Sequence, residues 1–226
     1  MLPALSRIAK NSGEPARQFR FERKYYLNAK EAAILRQRVA WLLKPDRHSD
    51  GAYHISSLYF DDVHNTSLYQ KQNGVLLRNK LRLRYYNNDL NFIRLEHKHK
   101  NGEMISKKSV SVSLEQYESI RQGDYGFILA EKHPLWRMFY SRRLTLGLAP
   151  VVTVEYDRSV FTYQAGNVRI TFDTDLRASL PFAATTLPVL RPGHLVLEVK
   201  YDHFLPGVIS DMLAYSRLTQ LAISKY

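Results

Sequence analysis

The stretch RNKLRLRYYNNDLNFIRLEHKH, residues 78–99, decides the fold. Residues two apart in a strand share a face. Arg82 and Arg84 therefore lie together, with Leu81, Leu83 and Tyr85 on the opposite side. Asn87, Asn88 and Asp89 follow as a turn-forming cluster. The alternation then resumes, with Arg94, Glu96 and Lys98 against Ile93 and Leu95. The pattern predicts a hairpin of Arg78 to Tyr86 and Asn91 to His99, apolar on one face and charged on the other.

The same two-faced pattern recurs far from this hairpin. Over Phe19 to Tyr26, Arg20, Glu22 and Lys24 oppose Phe19, Phe21 and Tyr25; over His194 to Asp202, Glu198 and Lys200 oppose Leu195, Leu197 and Val199. Tyr53 to Phe60 is aromatic and β-branched, and Ile105 to Val112 follows the Asn101-Gly102 turn. Val151 to Tyr163 and Val168 to Asp173 flank Ala165-Gly166-Asn167; Tyr156 and Arg158 share one face, Arg169, Thr171 and Asp173 another. About eight strands with hairpin-length connections predict an α+β chain built on a largely antiparallel sheet or barrel. Asn28 with Glu31 forms a capping box before a helix over Ala29 to Leu43, and Ser113 with Gln116 repeats it before a helix ending near Gly123. Further helices are expected over Leu129 to Leu146, with Pro134 near its start, and from Gly207 to Leu218.

The formal charge is +12, from 33 Lys and Arg against 21 Asp and Glu. That excess predicts a polyanionic partner: nucleic acid, an anionic membrane or a phosphorylated metabolite. A nucleic acid is the weakest of these, because the cations alternate on strands among carboxylates and no reading motif is present. The chain has no cysteine, which excludes disulfides and thiolate metal sites and is compatible with the cytoplasm. No window approaches the ~18 apolar residues of a membrane span, and residues 1–17 lack a signal-peptide core and read as a flexible leader.

Three strands carry Glu-x-Lys: Glu22/Lys24, Glu96/Lys98 and Glu198/Lys200. An open sheet with its charged face in water would explain any one of them. The recurrence in distant strands instead suggests a closed sheet with charge inside. So many buried cations require an anion to balance them. The glutamates among them suit Mg²⁺ or Mn²⁺, hard cations that also bind phosphate oxygens. His97 and His99 resemble a metal pair but fall on the apolar face, and are read as structural. Tyr59-Phe60-Asp61 reads as strand-end packing, and Trp41 and Trp136 as core.

RFERKYYLN, SSLYFDD, KLRLRYY, LEHK with SKKSV, VEYDRSVF, VRITFDTDL, LEVKYD and ISKY occur here in one order. In this the chain resembles the VTC domain, the catalytic domain of vacuolar transporter chaperone polyphosphate polymerases and their bacterial relatives, within the triphosphate tunnel metalloenzymes. The resemblance covers residues 18–226. It implies an eight-stranded antiparallel β-barrel, the triphosphate tunnel, with helices packed outside. It also implies an ATP-polyphosphate phosphotransferase that needs Mn²⁺ or Mg²⁺. The alternatives are a tunnel triphosphatase acting on inorganic or nucleoside triphosphate, and a non-catalytic polyphosphate-binding module.

By motif, the resemblance assigns Lys24, Arg82, Arg84, Lys98, Arg158, Arg169 and Lys200 to the transfer site. Glu198 is implied as the metal ligand, while Glu22 and Glu96 are either further ligands or partners that position the cations. Tyr156 and Lys225 match substrate-binding positions, and Arg20, Arg78, Arg94 and Lys108 are added as candidates for substrate contact. Lys71 is the other candidate for a basic residue before the RLR strand. Where the polymerase domain reads Lys-Ser-Val-Lys, this chain has Lys108-Ser109-Val110-Ser111, one basic residue fewer. ATP and polyphosphate or triphosphate are the implied partners, with a membrane-associated partner protein in keeping with the family.

Overall fold

The computed structural model describes residues 19–46, 51–216 and 218–226; the leader expected at 1–17 lies outside them. Eight long strands carry the structure: β1 (Arg20–Leu27), β3 (Ala52–Asp61), β4 (Leu77–Tyr86), β5 (Asp89–Asn101), β6 (Met104–Val112), β7 (Ala149–Tyr163), β8 (Val168–Ser179) and β10 (Leu195–Tyr201). Two short pieces, β2 (Lys44–Pro45) and β9 (Leu187–Pro188), add to β7 and β8. The long strands run β7-β3-β4-β5-β6-β1-β10-β8, every pair antiparallel, and β8 pairs back onto β7. The sheet is thus a closed antiparallel ring.

The ring has its apolar faces outward, under helices. α1 (Ala29–Leu42) and α5 (Gly207–Tyr215) cover β1, β8 and β10; Leu35, Val39 and Ile209 pack on Leu27, Ile170, Phe172, Leu197 and Val199. α3 (Leu114–Gln122) and α4 (Pro134–Leu146) cover β3 to β6; Ile120, Trp136 and Phe139 pack on Leu58, Phe60, Leu81, Leu83, Ile93 and Leu95. With period two, burying these faces turns Glu22, Lys24, Arg82, Arg84, Glu96, Lys98, Glu198 and Lys200 into the ring. A third apolar cluster is internal. Ile55 and Tyr59 of β3, Val154 and Tyr156 of β7, and Leu176 of β8 form one apolar wall of the lumen.

Local chemistry sets the boundaries. Both capping boxes form, at Asn28/Glu31 and Ser113/Gln116. Asn87 and Asn88 take left-handed backbone, φ 50° and 57°, which fits a tight hairpin and lets β5 begin at Asp89. The helix expected over Leu129 to Leu146 divides into a 3-10 turn, Gly126–Ala130, and α4. Proline has no N–H to continue a helix, so Pro134 starts a new one, with His133 Nδ1 accepting from Leu135 N at 3.1 Å. The last helix ends at Tyr215 rather than Leu218. β8 continues past Asp173, through an irregularity at which Asp175 has φ 46°.

α2 (Thr66–Gln72) was not expected from the sequence: it buries no residue, so it has no apolar period to read. Its first turn is fixed from outside, by Asp61 accepting from Ser67 N and Leu68 N at 2.9 and 3.1 Å. Trp136 is fully buried as expected, but Trp41 is 93% exposed on α1, because the register that buries Leu35 and Val39 turns position 41 to solvent. Trp136→Ala should therefore destabilise the fold by about 3–5 kcal/mol, whereas Trp41→Ala should stay within about 0.5 kcal/mol. Urea denaturation of the two variants checks this contrast.

Candidate active site

The lumen holds a cavity of about 90 Å³ lined by eleven cationic side chains and two carboxylates. β4 contributes Arg78, Lys80, Arg82 and Arg84; β5, Lys98 and Lys100; β1, Glu22 and Lys24; β7, Tyr156 and Arg158; β10, Glu198 and Lys200. Lys71 enters from α2, Tyr59 from β3, and Ile223, Ser224 and Lys225 from the chain after α5. No strand alone makes this arrangement. Lys24 opposes Glu198 and Glu22 opposes Lys200 across the β1–β10 ladder, which puts the first and last Glu-x-Lys pairs side by side.

Ion pairs make the cluster tolerable. Lys98 lies 2.6 Å from Glu22, and Lys24 lies 3.3 Å from Glu22 and 3.9 Å from Glu198; Lys200 also pairs with Glu198. Burial and Glu198 push the Glu22 carboxyl up, but Lys24, Lys98 and Lys200 outweigh them and hold it well below the usual carboxylate range. Glu198 is likewise raised by burial and drawn far down by Lys200, Lys24, Lys225 and Arg158. Burial disfavours charged Lys24, yet Glu22 and Glu198 hold its pKa above the ordinary lysine value. A second cluster centres on Glu96, which accepts from Arg82 at 2.7–2.8 Å and Lys107 at 2.6 Å. A third joins Arg158 to Asp173 through two contacts of 2.6 and 2.8 Å.

Some cations lack that compensation. Lys80 reaches only oxygens of Ser224 and Tyr226 among the described hydrogen bonds and ion pairs. Burial lowers its pKa, and Lys24, Lys98 and Arg78 lower it further despite Tyr59, to about 7. Lys98 is lowered by burial to about 8, Glu22 offsetting only part of that cost. Tyr59 shows the same field from the other side. Burial raises its phenol, but Arg82, which donates to the hydroxyl at 3.0 Å, and Arg84 bring it down to about 7.

The sequence-derived residues divide by position. Lys24, Arg78, Arg82, Arg84, Lys98, Tyr156, Arg158, Lys200, Lys225, Glu22 and Glu198 meet at the cavity. Arg20 lies off it, donating to Asp202 at 2.7 Å and to Asn167 O. Arg169 donates to Tyr53 Oη at 3.1 Å and pairs with Asp46; Arg94 donates to Ser109 and Ser111. Lys107 is the lysine of its pair that reaches inner Glu96, while Lys108 stands opposite His97 in the ladder. His97 and His99 both bond Asn79 Oδ1 at 3.0 Å, off the cavity.

Sequence reasoning missed Lys80, Lys100, Asp173 and Tyr59 as site residues. Lys80 was legible, since Arg78, Lys80, Arg82 and Arg84 keep one period. Tyr59 was not, because its role depends on strands that only the closed ring brings near it.

A model of the VTC domain matches residues 19–226. The chain belongs to the VTC domain family. No curated protein matches it. Among solved structures, a suggested adenylate cyclase from Bacillus halodurans is similar, with a TM-score of 0.56 and 11% identity over 92% of this chain and 94% of that one. The PH1819 protein of Pyrococcus horikoshii OT3 covers 88% of each chain at 13% identity and a TM-score of 0.44. The VTC match and the shared fold make this chain a triphosphate-tunnel family member.

Such enzymes use a divalent metal, and the donor set fits one. Glu22 and Glu198 offer ionised carboxylates at the cavity. No group of three or more acidic or histidine side chains among the described residues could hold an ion alone. Two carboxylates with phosphate oxygens and water suffice for Mg²⁺ or Mn²⁺. Glu96, held by Arg82 and Lys107, is not among the residues lining the cavity. No helix among the described residues is long and apolar enough to cross a membrane.

Two proton-linked effects follow. A phosphate chain bound in the cavity would favour charged Lys80 and Lys98, raising pKa values that stand at about 7 and 8 without it. The complex then holds more protons than its parts, and these groups weaken binding as pH rises above 7. Calorimetry near pH 8 in buffers of different ionisation enthalpy should show net proton uptake, reduced in Lys80→Met. Phosphate should also raise the Tyr59 pKa, so tripolyphosphate added at pH 8 should lower tyrosinate absorbance near 295 nm in the wild type but not in Tyr59→Phe.

Proposed function

We propose that this VTC domain is a metal-dependent polyphosphate polymerase that transfers the γ-phosphate of ATP to a growing chain. The observation supporting it is the closed ring's cation-lined cavity, with Glu22 and Glu198 on the adjacent strands β1 and β10 at its wall. Phosphoryl transfer needs positioning and charge neutralisation more than covalent help from the protein, and this cavity supplies both.

A terminal phosphate oxygen of the bound chain attacks the γ-phosphorus. The bond from that phosphorus to the β-phosphate oxygen breaks, and ADP leaves. Arg82 and Arg84 present guanidinium groups whose planar forks match phosphate oxygens. Both are held in place, Arg82 by Glu96 and Tyr59, Arg84 by Ser57 and Tyr156. Lys24, Lys98 and Lys200 neutralise charge along the chain as point cations. A bound divalent cation such as Mn²⁺ or Mg²⁺ would supply positive charge to offset that developing on the leaving oxygen. Glu198 and Glu22 are the residues that would hold it.

Incubation with ATP and Mn²⁺, followed by gel separation, should give phosphate chains; free phosphate without chains would point to a triphosphatase. Glu198→Gln should abolish metal-dependent turnover in a chain that still folds, at a lower thermal stability because Lys200, Lys24 and Lys225 lose a carboxylate partner. Arg82→Ala or Arg84→Ala should each weaken triphosphate binding by about 1–3 kcal/mol, measured calorimetrically without metal.

A further inference from the structure

Nine of the eleven cations lining the cavity stand on strands of the ring, where ladder register fixes them. Lys71 and Lys225 do not. Lys71 belongs to α2, which buries no residue and so has no apolar face to hold it, and Lys225 belongs to the chain after α5. Both trace back to one carboxylate. Asp61, the last residue of β3, is 2% exposed. Its Oδ1 accepts from Asp62 N and Ser67 N at 3.0 and 2.9 Å, and its Oδ2 from Leu68 N at 3.1 Å, which fixes the first turn of α2. Oδ2 also accepts from the hydroxyl of Tyr226, the neighbour of Lys225.

Four donors fill the four lone-pair positions of a carboxylate, so Asp61 is committed to these two elements. The Tyr226 ring stacks on Tyr59 at 5.3 Å, and burial together with Asp61 holds its phenol above the ordinary tyrosine range, so it remains a donor. From that anchor the Lys225 ammonium reaches Asp173, 3.9 Å from Glu198 and 4.4 Å above the Tyr156 ring. We propose that Asp61 is a positioning residue for the phosphate site: through α2 it sets Lys71, and through Tyr226 it sets Lys225, the two cavity cations that no strand carries. The proposal rests on the phosphate-site reading above.

The location of Asp61 suits this role. A metal ion drawn to Glu198 would loosen the hold of that carboxylate on Lys225. Asp61 is not among the residues lining the cavity, so its bond to Tyr226 lies outside that competition. Asp62 supports the α2 arm alone among the described hydrogen bonds, accepting from His64 N and Thr66 N at 3.0 Å. Asp61 serves both arms.

Calorimetry of the full chain with tripolyphosphate, without metal, tests this. Tyr226→Phe keeps the ring on Tyr59 and removes only the bond to Asp61. It should weaken binding about threefold to tenfold, because Lys225 is then in place for only part of the time. In a Lys225→Met background the same change should have no effect, since the two residues act as one unit. Asp61→Asn should weaken binding more than Tyr226→Phe does; part of its effect should survive Lys225→Met and disappear when Lys71→Met is added. If Tyr226→Phe weakens binding as much in Lys225→Met as in the wild type, or not at all in the wild type, Asp61 serves the fold alone. The positioning role is then refuted and the phosphate site still stands. Should Asp61→Asn fail to fold, the Tyr226→Phe comparison decides by itself. If the wild type does not bind tripolyphosphate, both readings fall.

Discussion

The structure depends on one electrostatic constraint: charge turned into a closed ring must be compensated where it lies. Burying the apolar strand faces under α1, α3, α4 and α5 leaves the alternate positions nowhere to point but inward. A lumen of lysine and arginine alone would be too costly to desolvate. Glu22, Glu96, Glu198 and Asp173 answer that cost, each held by two or more cations. They are the frame on which the free cationic capacity is mounted.

The compensation is uneven, and this gives the site its chemistry. Arg158 is tied to Asp173, and Arg82 to Glu96. Around Lys80 and Tyr59 the positive field is left largely unopposed: burial and that field together lower Lys80 to about 7, and the field overcomes burial to bring Tyr59 to about 7. Under the proposed function, an incoming polyanion would complete this part of the lumen. Ile55, Val154 and Leu176 pack behind Tyr59 and Tyr156, whose hydroxyls accept from Arg82 and Arg84.

Much of this was legible in the chain. The alternation at Arg82/Arg84, Glu96/Lys98 and Glu198/Lys200 gave the strands and their charged face, because period two is a property of the extended backbone. The capping boxes at Asn28 and Ser113 were equally local. Less legible was any feature without a repeating pattern. α2 buries nothing, Pro134 split a helix read as continuous, and Trp41 looks like core until the packing of α1 fixes its rotation. Arg20, Arg94 and Arg169 share the charged period with the cavity residues, yet Asp202, the Ser109/Ser111 hydroxyls and Tyr53 draw them elsewhere.

The sequence by itself determined which face of each strand is charged, since side-chain alternation is fixed by residue order. It also carried the ordered motifs of the VTC domain. Only the tertiary structure decided which charges meet. Lys98 finds Glu22 across 76 residues, and Lys225 finds Asp173 across 52, separations set by ring closure and strand register. Those pairings, invisible to any local pattern, decide which cations are neutralised by carboxylates and which are not.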